Sequence, residues 1–490
     1  MLYTRTRSFL LMLLLLIAAA PEVALQEKRP QESPTPQPVK RLLYAAFNKG
    51  DVQSFASLVD RTTQQERDEF LLYVLSQAKE SPIEFVRALL DKGANVNQPT
   101  RYKTPLMYAA HEGYADIVSL LLAKGAQINP ITDEGTALME AVRAGHTEIA
   151  RLLVAAGADV KAKHVIGDQA LTMAARQRSY RTPSLEPNSD ILQLLLVHGA
   201  DPNAKGLWRE TALMFANTAD KVKLLVAGGA ELEAKNEQGQ TALMKAASRG
   251  DAGVVSALLD AGANVNAVDN NGSNALLHSF DRENNEHGDE RKTLPARRIE
   301  VARKLLLAKS IDVNVINNDG ETALMRAVRL ENVEMIKSLL AQGADVNRTD
   351  VLGDTAMTVA YSNGNAEVER ALPAPQFKSQ PVNVLNAFLR AAIGRKDEAK
   401  VKELLAAGAD PNHEYAIGYR HKTIKGRPLV LAASMGHAGI VQLLLDKGAD
   451  PNATGLISGS ESGLKFGTAL EAAELSKNTE VVALLRTRQN

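Results

Sequence analysis

The sequence predicts an all-α solenoid of about thirteen helix pairs with short β-hairpin-like connectors. First, Gly-Ala-Asp/Asn-Val/Pro-Asn or a close variant recurs at Gly93, Gly125, Gly157, Gly199, Gly229, Gly262, Gly343, Gly408 and Gly448, several of them 32 or 33 residues apart. A period of that length belongs to stacked repeats. Second, Thr-Ala-Leu-Met or a relative of it precedes these glycines at Thr104, Thr136, Thr211, Thr241, Thr322 and Thr468. Third, the chain is 45% hydrophobic but only 4% aromatic, which suits thin stacked helices of Leu, Ala and Val and argues against a large aromatic core.

Taken in chain order, Arg5 and Arg7 precede the apolar run Phe9 to Ile17 and the small residues Ala18 to Ala20. This pattern reads as a secretory signal peptide over 1–24, removed between Ala20 and Glu27. The run is short for a membrane span, although Pro21 sits badly after a cut at Ala20, and an uncleaved anchor is the alternative. Residues 25–39, with Pro30, Pro34, Pro36 and Pro38, have the composition of an extended linker. The chain has no cysteine, so lipoprotein attachment and disulfides are excluded and stability must come from stacking.

Within a unit, Thr136 is placed to accept hydrogen bonds from the first free N–H groups of a helix through Leu138, Met139, Ala141 and Val142. A second helix carries Ile149, Leu152 and Leu153 on one face, and Gly157 ends it in the left-handed conformation. Such short helices do not persist alone, so each pair must bury its apolar face against the next. Pairs are expected to begin near Lys40, Phe70, Thr104, Thr136, Gln169, Thr211, Thr241, Asn274, Thr322, Thr355, Val384, Arg427 and Thr468. They divide into a main array over 40–372, a proline-bearing joint over 373–382 where a second helix is expected to be lost, and a C-terminal array over 383–490. Polar stretches at 176–190 and 281–298 read as lengthened turns, and His413 to Gly426 and Ala453 to Gly467 as enlarged connectors.

The motifs at Gly135 through Val160 and Gly239 through Asn266 resemble those of the ankyrin-repeat family, and Thr104-Pro105-Leu106 keeps its proline at the first helical position. The chain is similar to exported ankyrin-repeat proteins of bacterial style. One departure is systematic: the family's His after Leu is Met at Met107, Met139, Met214, Met244 and Met325. The Thr–His hydrogen bond of the family is therefore expected to give way to apolar packing.

Positive and negative residues balance at 57 each, so nothing favours nucleic acid or an anionic membrane as the general partner. His111, His146 and His437 invite a metal reading, but His146 and His437 stand at the family's structural Gly-His position. No zinc spacing surrounds His413 and His421, and the acids from Asp281 to Glu290 lack calcium-loop spacing. No cofactor, metal or catalytic residue is expected, since no thiol, nucleophile elbow or phosphate loop stands in a fitting context.

Binding remains. The resemblance implies that connector tips and the ends of first helices line one concave face. Carried onto this sequence, that gives Tyr102, Lys103, His111, Glu112, Arg143, Arg176, Trp208, Arg209, Arg249 and Arg329. The arginines would form a broken basic ladder, with solvated arginine as the alternative, and Trp208 an interface anchor unless it packs over its neighbouring tip. Tyr415, Tyr419 and Arg420 add an aromatic and basic cluster on an enlarged connector, or else pack that connector against adjacent tips. The expected function is non-enzymatic recognition of a protein partner, of unknown identity, by a periplasmic or secreted monomer. The alternatives are a membrane-tethered envelope organiser, if the leader is uncleaved, and an exported effector acting on host proteins.

Overall fold

The computed structural model describes residues 37–98, 102–176, 189–281, 290–419, 422–460 and 463–489. The proposed leader, most of the proline-rich linker and the stretch 177–188 lie outside them. Thirteen helix pairs follow one another among the described residues, and the chain divides into two compact units, Met1–Asn95 and Val96–Asn490.

The first unit holds the pairs Gln37–Lys49 with Val52–Val59 and Gln64–Gln77 with Ile83–Asp91. Its first helix thus starts inside the stretch assigned to the linker. Thr63 and Glu66 cap the third helix reciprocally, Glu66 N donating to Thr63 Oγ1 (3.3 Å) and Thr63 N to Glu66 Oε2 (2.9 Å). Contrary to the compositional expectation, this unit has an aromatic core. The rings of Tyr44, Phe47, Phe55, Phe70, Tyr73 and Phe85 meet at centroid distances of 4.7–6.3 Å, mostly edge to face. The low overall content conceals a local concentration.

In the second unit the Thr markers cap their helices as their chemistry requires, except Thr211, whose buried hydroxyl makes no cap hydrogen bond to its four-residue helix Ala212–Phe215. Thr136 Oγ1 accepts from Met139 N at 3.3 Å, and Thr104, Thr241, Thr322 and Thr355 repeat the cap. Met at the third helical position is not merely apolar filling. The buried sulfurs of Met107 and Met244 accept from the N–H of Thr104 (3.4 Å) and Thr241 (3.5 Å), so a thioether closes the capping box as a weak acceptor.

Two kinds of hydrogen bond recur between successive pairs of this second unit. The connector asparagine donates to the carbonyl of the following unit's glycine and accepts an amide two residues beyond it. Asn129 reaches Gly157 O (3.2 Å) and Asp159 N (2.8 Å), and Asn97, Asn203, Asn314 and Asn412 do the same. On the helix side, a donor from one unit caps carbonyls that end the first helix of the unit before it. His146 Nε2 serves His111 O (3.1 Å), Lys221 serves Ala174 O and Ala175 O, and Arg249 serves Met214 O and Ala216 O. Arg298, Arg326 and Arg395 continue the series at Ser248 O, Leu277 O and Tyr361 O. These carbonyls stand at helix ends, where intrahelical partners run out, and a cation there also opposes the helix dipole. Lys221 is fully buried for this purpose, which pushes its ammonium down to about 8.

Three irregularities differ from expectation. The polar stretch after Asp281 is helical from Glu290, as Glu290–Leu306. The helix before the proline-bearing joint is present but cut to six residues, Ala366–Ala371. Within the joint, Phe377 packs edge to face on Phe388 (5.0 Å), in one buried cluster with Tyr361, Val384 and Leu385, so apolar packing is continuous through it. The two enlarged connectors form antiparallel hairpins, Tyr415–Tyr419 with Lys422–Gly426 and Thr454–Ser460 with Gly463–Thr468.

Candidate protein-binding face

The connector tips share one hydrogen-bond design. Asn236 Oδ1 accepts from Gln238 N (3.0 Å) and Gln240 N (2.8 Å), and Asp269, Asn317 and Asp350 repeat this with their own loops. Three residues after each of these side chains stands a glycine with positive φ: Gly239, Gly272, Gly320 and Gly353. Adjacent tips are laced together. Glu237 N donates to Trp208 O (3.0 Å), Asn270 N to Gln238 O (3.0 Å), Asn318 N to Asn271 O (2.8 Å) and Val351 N to Asp319 O (2.9 Å). Toward the start of the unit, Thr132 Oγ1 donates to Tyr102 O, and His164 Nε2 pairs with Asp133 O at 2.8 Å. The tips therefore form one ordered row.

The expected basic ladder is present in position but not as free charge. Lys103, His111 and Arg143 converge on Glu140, which is fully buried; its Oε2 is 2.6 Å from Lys103 Nζ and 3.0 Å from His111 Nδ1, and its Oε1 pairs with Arg143. Burial alone would raise the Glu140 carboxyl, but His111, Arg143 and Lys103 outweigh it and hold the group below the ordinary glutamate range. Glu112 stands half-buried beside His111, its Oε1 3.9 Å from His111 Nε2. Arg143 also takes Glu134 (3.0 Å), and Arg176 pairs with buried Asp168 (2.9 Å) while its guanidinium lies over Phe215. Arg249 holds Asp251 (2.7 Å) besides its capping role, and Arg329 pairs with Glu321 and Asp350. Each arginine is neutralised by a neighbour from its own or an adjacent unit.

The hairpin cluster is likewise corrected at Tyr415. That ring is buried, with the Arg390 guanidinium 5.4 Å from its centroid, and burial pushes its hydroxyl up to about 12. Lys425 and Arg427 share Glu414. The side chain of Tyr419 and all of Arg420 lie outside the described residues.

Trp208 and Arg209 occupy a different kind of position. Trp208 is half-buried, Arg209 exposed, and both adopt left-handed backbone conformations, at φ 60° and 58°. Arg209 N donates to Gly206 O as Gly239 N does to Asn236 O, so an arginine stands where the other tips carry glycine. For side-chain-bearing residues that conformation costs roughly 1–2 kcal/mol each.

Sequence reasoning named Tyr102 but missed the other exposed apolar residues of the connectors. Tyr102, Ile131, Val165, Ile166, Val268, Ile316 and Val351 are exposed, each on a connector. Their signal was available at Ile131, Val268 and Ile316, each two residues after a connector asparagine, a place where an apolar residue has no core to enter.

The most perturbed histidine serves this face from behind. His278 lies between Asp269 Oδ2 (2.9 Å) and Asp281 Oδ2 (2.7 Å). Burial alone would lower it, but the two carboxylates prevail and push it up to about 9. A histidine raised above its unfolded value of 6.5 contributes stability that is complete below that pH and is lost as pH rises through about 9. The stability difference between the wild type and His278→Gln should therefore shrink steadily from pH 6.5 to 9 in urea denaturation; a flat difference would show that the ring is neutral.

Among the described residues no helix is long and apolar enough to cross a membrane. A family model of ankyrin repeats in three copies matches residues 42–132, 128–206, 184–269, 210–287 and 296–374, and a single-repeat model matches 427–456. No curated protein matches the chain.

Proposed function

Because the chain belongs to the ankyrin-repeat family, whose stacks are protein–protein interaction scaffolds, we propose that it recognises a partner protein outside the cytoplasm through the laced row of connector tips. The observation that supports this most is the set of exposed apolar residues itself, since they recur on the connectors of one laced row of tips rather than scattering over the surface. The arginines behind the row fix its geometry, so the partner meets a preformed surface and little ordering cost is incurred on binding. Nothing in this reading needs a catalytic group.

Export rests on the charged start and short apolar run of the leader, and a monomer on the absence of any need for a second copy to complete the row. The membrane-tethered reading differs in one respect, an intact leader. Cell fractionation with mass spectrometry of the amino terminus separates the two.

The binding reading is tested by chemical cross-linking of full-length protein in its native fraction. A partner held by the wild type should be lost with Ile131→Asp combined with Val351→Asp and kept with Val197→Asp, an exposed residue at the end of a second helix. Retention by the double variant at unchanged melting temperature would overturn it.

A further inference from the structure

Two adjacent connectors, residues 161–167 and 203–209, carry basic residues and no acidic one. Lys161, Lys163, Lys205 and Arg209 are all exposed, and among the described residues none has an acidic partner. The four acids that flank these connectors are already engaged. Asp159 and Asp201 accept the backbone amides of Lys161 (2.8 Å) and Asn203 (2.9 Å), while buried Asp168 and Glu210 pair with Arg176 and Lys245 (2.9 Å each). Elsewhere in the row cations are occupied, Lys103 by Glu140 and Lys235 by Val268 O.

The same two connectors carry apolar groups among the cations: exposed Val165 and Ile166, and half-buried Trp208. They also touch. Leu207 N donates to Asp168 Oδ1 (3.2 Å), and a Cβ on Gly206 would stand only 2.2 Å from that oxygen. Here the tip breaks the rule of its neighbours twice, with glycine in place of the capping Asn or Asp and Arg209 in place of the glycine. A backbone conformation that disfavours side chains is retained so that Trp208 and Arg209 can be displayed, and such departures concentrate where a surface is used.

Resting on the binding role proposed above, we infer that this pair of connectors receives an acidic segment of the partner protein, one in which carboxylates alternate with aliphatic or aromatic side chains. The cations complement the carboxylates, and Val165, Ile166 and Trp208 take the apolar groups between them. Opposite charge of this kind fixes partner choice and speeds encounter. A lipid surface would offer the charge without the spaced apolar anchors.

The test is fluorescence polarisation of the full chain with three short labelled peptides that share Leu and Phe at alternate positions and carry Glu, Lys or Ser between them, with phosphatidylserine vesicles as a fourth probe. The Glu peptide should bind tightest and weaken with added salt. Lys163→Glu combined with Arg209→Glu should reduce its affinity by about tenfold or more. Arg209→Gly, which suits the turn better, should also bind more weakly without a lower melting temperature. Equal binding of the three peptides, no binding of the Glu peptide, undiminished binding by the charge-reversed variant, or a preference for vesicles would each overturn the inference. If cross-linking to the native partner still depends on Ile131 and Val351, only the acidic-segment inference fails; if it does not, the binding face itself fails.

Discussion

Replacing Glu140 by Ala should lower the stability of the folded chain by about 3–5 kcal/mol, the usual cost of removing one member of a buried ionic group. Glu140 is fully buried and gathers Lys103 from one connector, His111 from the end of one first helix and Arg143 from its own helix Ala137–Ala144. Without the carboxylate, Lys103 and His111 lose the anion they share, in a site only partly open to water. Arg143 would retain Glu134, and His111 would keep Glu112 beside it. Apolar replacement of the whole group, Glu140→Leu with Lys103→Met and Arg143→Leu, should recover much of the stability, because no charge is then left buried alone. Equilibrium urea unfolding at neutral pH reads both. A cost below about 1 kcal/mol for Glu140→Ala, the range of an exposed pair, would mean that the carboxylate does not organise the side chains around it.

Leu258→Ala should cost about 2–5 kcal/mol, the range for emptying a buried leucine site, whereas Leu485→Ala should cost less although both side chains are fully buried. The difference arises from connectivity. Leu258 lies in the helix Ala252–Asp260, with units on either side, and its loss weakens two stacking interfaces at once. Leu485 lies in the helix Thr479–Gln489, whose unit stacks, among the described residues, on the unit before it. A terminal unit opens locally, so a substitution there cannot remove more stability than docking that unit supplies. Equal shifts in the denaturation midpoint of the main transition would contradict nearest-neighbour stacking.

The element order was legible because its signals are local. A Thr cap such as Thr136 and a closing glycine such as Gly157 act within one turn of their own helix, and the i, i+3, i+4 spacing of Ile149, Leu152 and Leu153 lies inside nine residues. The period gave thirteen pairs for the same reason. The connector asparagines were visible as a marker, but their double bond to the next unit was not, since that needs the distance between two units. The aromatic core of the first unit was hidden by averaging: Tyr44 meets Phe70, and Phe55 meets Phe85, only when two helix pairs pack.

The proposed binding face divides the same way. From sequence alone the connectors could be located and Trp208 and Arg209 singled out, because tip positions recur with the period. Which charges remain available was decided only by tertiary structure. Arg143, Arg176, Arg249 and Arg329 read as an open ladder along the chain, yet each meets a carboxylate supplied by the fold, as does Lys103 with Glu140. The periodic signals are encoded in neighbouring residues, whereas the free or neutralised state of a side chain depends on groups brought to within hydrogen-bonding distance by stacking, and the register of one unit on the next is a property of three-dimensional packing.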